Sequence, residues 1–112
     1  MEFDRKRFKT AVPYIRIDSM TSVQDIELEL MSNHDEFFRQ IIIHIMDRMD
    51  GLDPDPVAIL VDEEDTEYIM EIQPEGYLKS LKKANEYFVS IEEYETCDLI
   101  KQMIEIAKKE QL

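Results

Sequence analysis

From Asp35 to Met49 the chain repeats apolar residues every four positions, at Phe37, Ile41, Ile45 and Met49, with Phe38, Ile42 and Met46 beside them. That spacing draws a wide apolar stripe along an α-helix. Ser32 or Asn33 stands where an N-cap belongs, and Gly51 follows where helices commonly end. The stretch Gly51-Leu52-Asp53-Pro54-Asp55-Pro56 then breaks the pattern, since proline lacks an amide proton and holds its predecessor extended. Beyond it the period changes. Val57 to Val61 is continuously apolar, as expected of a strand covered on both faces. In the next run Tyr68, Met70 and Ile72 share one face while Glu67 and Glu71 lie on the other. The two runs predict an antiparallel hairpin turned by Asp62-Glu63-Glu64-Asp65-Thr66. Without an Asn-Gly or Asp-Gly pair, the turn type stays open.

Past Pro74 and Gly76 the helical spacing returns, at Tyr77, Leu78, Leu81, Ala84 and Phe88. A second stripe runs through Tyr94, Cys97, Ile100, Ile104 and Ala107, and Ser90-Ile91-Glu92-Glu93 has the form of a capping box that would start it. So short a link implies an antiparallel helix hairpin. At the other end, Phe3, Phe8 and Val12 predict a short helix ending before Pro13, and Tyr14 to Ile17 a brief strand. Asp25 to Leu30 fits two periods. Ile26, Leu28 and Leu30 alternate with Glu27 and Glu29 as in a strand, whereas Val23, Ile26, Leu30 and Met31 fit a helix; the strict alternation favours the strand. The expected class is α+β: a small, mainly antiparallel sheet packed by helices, with a C-terminal antiparallel helix hairpin. At 112 residues the length suits a single domain.

Charge divides that domain into three parts. The basic N-terminal segment, residues 1–16, holds five Arg/Lys and two Asp/Glu, the acidic α/β body, 17–76, two and seventeen, and the hairpin, 77–112, six and seven. The body therefore carries −15 of a net −13, with its densest cluster at Asp62, Glu63, Glu64, Asp65 and Glu67. Such a body repels nucleic acid and anionic membranes and suits a basic protein partner. A hairpin tip is also where carboxylates stay hydrated and discourage edge-to-edge association. The basic run Arg5 to Lys9 is expected to counter the body's charge or dock a partner rather than hold nucleic acid.

Catalytic chemistry finds little to stand on. His34 and His44 lie ten residues apart with no metal-binding spacing. Asp47, Asp50, Asp53 and Asp55 crowd a helix end, yet a calcium loop counted from Asp53 meets Val57 at its fifth position and lacks the central glycine. Cys97 sits on an apolar stripe as an inert core thiol. With two glycines in the chain there is no phosphate-cradling loop. No catalytic residue, metal or cofactor is expected. The lone cysteine suits a reducing cytoplasm, no basic-then-apolar leader opens the chain, and Phe37 to Met46 is too short to span a bilayer.

The last third, from Leu78 to Ile106, resembles the UVR helical hairpin found at an end of excinuclease subunits and in some protease-regulating proteins. Tyr94-Glu95 matches its aromatic-Glu pair, Cys97 a small position, Lys101 the basic position and Ile104 the closing Ile; Asp98 and Gln102 depart from the pattern. The resemblance implies an antiparallel helix pair that contacts another protein, with no nuclease or repair activity. The expectation is a small acidic, non-catalytic adaptor or accessory protein, bacterial or phage, contacting a protein through Tyr94, Glu95 and Lys101 and through the acidic tip. The alternatives are an acidic inhibitor that imitates nucleic acid, of the anti-defence or immunity kind, and a structural subunit of a larger assembly. A homo-oligomer stays open.

Overall fold

The computed structural model describes residues 12–18, 22–32 and 34–110. The helix expected around Phe3 and Phe8, the basic run Arg5 to Lys9 and the cap candidate Asn33 lie outside them, as does the His34 side chain. The elements are strand β1 (Tyr14–Arg16), helices α1 (Val23–Ser32) and α2 (His34–Met49), strands β2 (Ala58–Val61) and β3 (Glu67–Met70), a 3-10 turn (Pro74–Gly76), and helices α3 (Tyr77–Ser90) and α4 (Tyr94–Glu110). The α+β class holds, and so do the β2–β3 hairpin and the packed α3–α4 pair. The three strands lie in the order β1-β2-β3, antiparallel between β2 and β3 but parallel between β1 and β2. Two intervening helices return the chain to the end of the sheet from which β1 started, and that connection makes the first pair parallel.

Residues 23–32 are a helix, not the expected strand. Ser22 and Asp25 cap it reciprocally: the Asp25 amide donates to Ser22 Oγ at 3.1 Å and the Ser22 amide to an Asp25 carboxylate oxygen at 3.4 Å. Ile26 and Leu30, one turn apart, face Ile15 and Ala58, whereas Leu28, the residue that made the alternation look strand-like, is 65% exposed. Ser32 is the last residue of this helix.

The main core is helical. Ile41, Ile42, Ile45 and Met46 of α2 meet Leu81, Ala84 and Phe88 of α3 and Cys97, Ile100, Met103 and Ala107 of α4. A smaller cluster of Ile15, Leu30 and Ala58 lies under the sheet, and Phe37 and Met70 pack against both. Tyr94, placed by its spacing on the buried stripe, instead points outward at 58% exposure, and Thr96 takes the interior position at the start of α4.

Helices α2 and α3 end alike. After α2 the Gly51 amide bonds the Arg48 carbonyl and the Leu52 amide the Asp47 carbonyl, with Gly51 at φ +76°. After α3 the Glu92 amide bonds the Val89 carbonyl and the Glu93 amide the Phe88 carbonyl, with Glu92 at φ 60°. Both are Schellman closures, whose left-handed residue is best a glycine. The capping box expected at Ser90 therefore does not form: Ser90 Oγ donates back to the Tyr87 carbonyl, and α4 starts at Tyr94. Glu92→Gly is expected to stabilise the protein by about 0.5–1 kcal/mol, since relief of the left-handed strain outweighs the added freedom of the unfolded chain. Thermal unfolding would register it as a rise of a few degrees.

Candidate functional site

The acidic hairpin tip is built around Asp62. A type I turn, in which the Asp65 amide bonds the Asp62 carbonyl at 3.1 Å, is followed by Asp65 itself at φ 61°. This is the three-residue hairpin loop whose last position needs a left-handed residue, a conformation Asp tolerates better than most. Asp62 Oδ1 accepts the amides of Glu64 and Thr66, each at 2.9 Å, and Oδ2 accepts the Tyr68 hydroxyl at 2.9 Å. The Thr66 amide above all, then the Tyr68 hydroxyl and the Glu64 amide, hold the Asp62 carboxyl below its ordinary range, and Asp62 in turn raises Tyr68. Asp65 pairs with Arg16 across the sheet at 3.1 Å, both side chains well exposed. Of the five acidic residues in the cluster, Asp62 thus serves the turn itself, while Glu63, Glu64 and Glu67 are exposed.

Asp62→Ala is expected to leave the core intact and speed amide exchange at Glu64 and Thr66. In the wild type a depressed pKa means that the charged form supports the turn above the ordinary Asp value, and that this support is lost as pH falls through the lower folded value. NMR shifts of the Glu64 and Thr66 amides should follow that transition, with a midpoint below 3.8.

Below the tip, the inner side of the sheet end opens into a cleft of about 580 Å³. It is lined by Ile17, Leu60 and Tyr68 together with Asp18, Asp62, Glu63 and Glu64. It offers carboxylates and a phenol, and no Lys, Arg, His, Ser, Thr or Cys is among its lining residues. A cation on an apolar stem fits that chemistry; an anion does not.

Among the described residues no helix packs on the opposite face of the sheet. The register places Tyr14, Ile59 and Ile69 in one outward row and Arg16, Val61 and Glu67 in the next. Tyr14 and Ile69 are 63% and 64% exposed, and Ile59 and Val61 between them are half-buried. The continuous apolar run of β2 was expected to be covered on both faces. Only Val57, Ala58 and the inward Leu60 meet the interior, because the packed helices lie on the other side.

The remaining contact candidates lie elsewhere. Tyr94, Glu95 and Lys101 are exposed on α4, which packs chiefly against α3, so the structure gathers the acidic residues in one turn and leaves these three on a separate element. Burial pushes the Cys97 thiol up, with a smaller opposite pull from Lys101 one turn away. His44 is buried and used structurally. Its Nδ1 lies 2.8 Å from the Asp55 carbonyl, and Nε2 accepts the Ile72 amide at 3.3 Å, which assigns the ring proton to Nδ1. Among the described residues no three His, Cys, Asp or Glu gather in a way that could hold a metal ion, and no helix is long and apolar enough to cross a membrane.

One polar cluster escaped the sequence pattern. Arg39 of α2 donates through Nε to Asp35 at 2.8 Å and through both terminal nitrogens to Glu93, at 2.8 and 3.1 Å, with its guanidinium 5.2 Å from the centre of the Phe88 ring. Tyr87 donates to Asp35 at 2.9 Å and Thr96 Oγ1 to Glu93. The hydrogen bond from Arg39 leads in holding Asp35 below its ordinary range, while Glu93 and then Asp35 raise Arg39. Burial, followed by Asp35, pushes Tyr87 up to about 12. The phenol is thus kept protonated, and the cluster fastens α2 to the α3–α4 turn. Asp35 and Arg39 stand four residues apart and their pairing could have been read from the sequence; Glu93, 54 residues beyond Arg39, had no local signal.

No known protein family, curated protein or solved structure matches the chain.

Proposed function

We propose that this chain is a non-catalytic protein-interaction module, an adaptor or accessory protein of the cytoplasm, that binds through the outward face of its sheet. The observation that carries the reading is the outward row Tyr14–Ile59–Ile69, whose two ends are well exposed although parallel strands such as β1 and β2 are ordinarily covered on both sides. The resemblance of α3–α4 to a protein-binding hairpin adds a second surface, where Tyr94, Glu95 and Lys101 are exposed, as are Val89 and Ile91 at the α3–α4 connection.

The test is capture by immobilised protein, wild type against Ile69→Glu and Tyr94→Ala, each first shown to be folded by circular dichroism. Ile69→Glu should lose the specifically bound protein, and Tyr94→Ala should weaken its binding less. Retention of the same protein by a folded Ile69→Glu variant would remove the sheet face from the reading. The cleft lined in part by Asp18, Asp62, Glu63 and Glu64 favours a second reading, an inhibitor that imitates nucleic-acid charge. It predicts a basic partner that high salt releases and that Glu63→Gln/Glu64→Gln loses, with Ile69→Glu indifferent.

A further inference from the structure

We infer that the occupant of the outward sheet face is a second copy of this chain, docked sheet on sheet about a two-fold axis running along β2. The inference rests on the reading that this face is an interface, and it names the partner. Its basis is the pattern of the face. The register sets Arg16, Val61 and Glu67 in one row, and Tyr14, Ile59 and Ile69 in the row beside it. A two-fold along the middle strand exchanges the outer strands and keeps each row in place. Arg16 then lies over the partner's Glu67, Tyr14 over the partner's Ile69, and Ile59 and Val61 over their own counterparts. Within the two rows each charge meets its opposite and each apolar residue an apolar one.

Within those two rows the face holds one cation and one anion in a protein of net charge −13, with Asp65 reaching Arg16 from the turn, so it is less acidic than the tip and the cleft. A basic partner would match those acidic surfaces; this face matches itself. Two such sheets would stack about 10 Å apart, with their strands roughly aligned. The Arg16–Asp65 pair of the single chain is exposed on both sides and contributes little, so Arg16 can turn to the partner's Glu67 at small cost. Three strands of three or four residues form a small face, short of the roughly 800 Å² per partner of a standard stable complex. A face that small suits a weak, transient dimer. Its long-range term is repulsion between two acidic chains, so added salt should tighten it, the reverse of the response of a basic partner.

Sedimentation equilibrium of the full chain, from about 10 µM to 1 mM at low and high salt, tests this. The wild type should rise from 13.4 kDa towards twice that mass, at lower concentration in high salt. Ile69→Glu should stay monomeric throughout. Arg16→Glu and Glu67→Arg should each weaken association about tenfold or more, and an equimolar mixture of the two should recover it, because only the mixed pair restores both contacts. A wild type monomeric at 1 mM in both salts overturns the inference, as does a mixture no stronger than its components. If that happens while folded Ile69→Glu still loses a captured protein, the face remains an interface for a different chain. If Ile69→Glu also captures normally, both readings fall.

Discussion

Phe88→Ala is expected to lower the unfolding free energy by about 3–5 kcal/mol, the largest loss foreseen for any single change here. Phe88 is fully buried, the largest such side chain among the described residues. Its ring meets Tyr87 edge-on with centroids 5.0 Å apart, and Arg39 lies over it. The surrounding residues come from three helices held by backbone hydrogen bonds, so the walls can collapse only partly into the space left behind. The cavity term therefore adds to the lost transfer free energy. For a domain whose whole stability is of the order of 5–15 kcal/mol, that loss leaves much of the variant unfolded on modest heating. Denaturant titration should show a lower midpoint with an unchanged slope, while Phe88→Leu should cost about 1.5 kcal/mol or less because most of the volume stays. A loss below about 1 kcal/mol for Phe88→Ala would mean that the helices close over the gap.

Arg39→Met is expected to cost about 2–3 kcal/mol, below the 3–5 of a fully buried ion pair because Glu93 keeps 24% of its side chain exposed. The loss comes less from the missing attraction than from what stays behind: Glu93 and Asp35 would face partial burial without their cation. Glu93→Gln should accordingly cost much less in the Arg39→Met background than in the wild type, and a double-mutant cycle measures the difference. The pH dependence follows from Asp35, whose folded pKa is lowered mainly by Arg39. A lowered pKa contributes stability above the ordinary value of 3.8 that is lost as pH falls through the folded value. The stability gap between wild type and Arg39→Met should therefore stay flat near neutral pH and narrow in acid. Arg39, shifted upward, stays charged throughout that range.

Much of the architecture could be read from the chain. The four-residue rhythm of α2, the acid-turned hairpin and the paired stripes of α3 and α4 are local patterns, each written within one stretch of sequence. Residues 23–32 show where local pattern divides. Alternation at Ile26, Leu28 and Leu30 argues for a strand, while the cap Ser22-Val23-Gln24-Asp25 argues for a helix. Packing decided it, because a helix turns Ile26 and Leu30 together onto Ile15 and Ala58 while Leu28 faces water.

The amino-acid order by itself determined the class, most of the helices and the hairpin, and the concentration of acid at its turn, because each depends on residues a few positions apart. Tertiary structure alone decided that β1 lies parallel to β2, that Arg39 meets Glu93 54 residues away, and that Tyr14, Ile59 and Ile69 form an outward row. Alternation tells which residues share a face of a strand. Which face is then buried depends on the side where distant helices come to rest, and that is settled only when the whole chain packs.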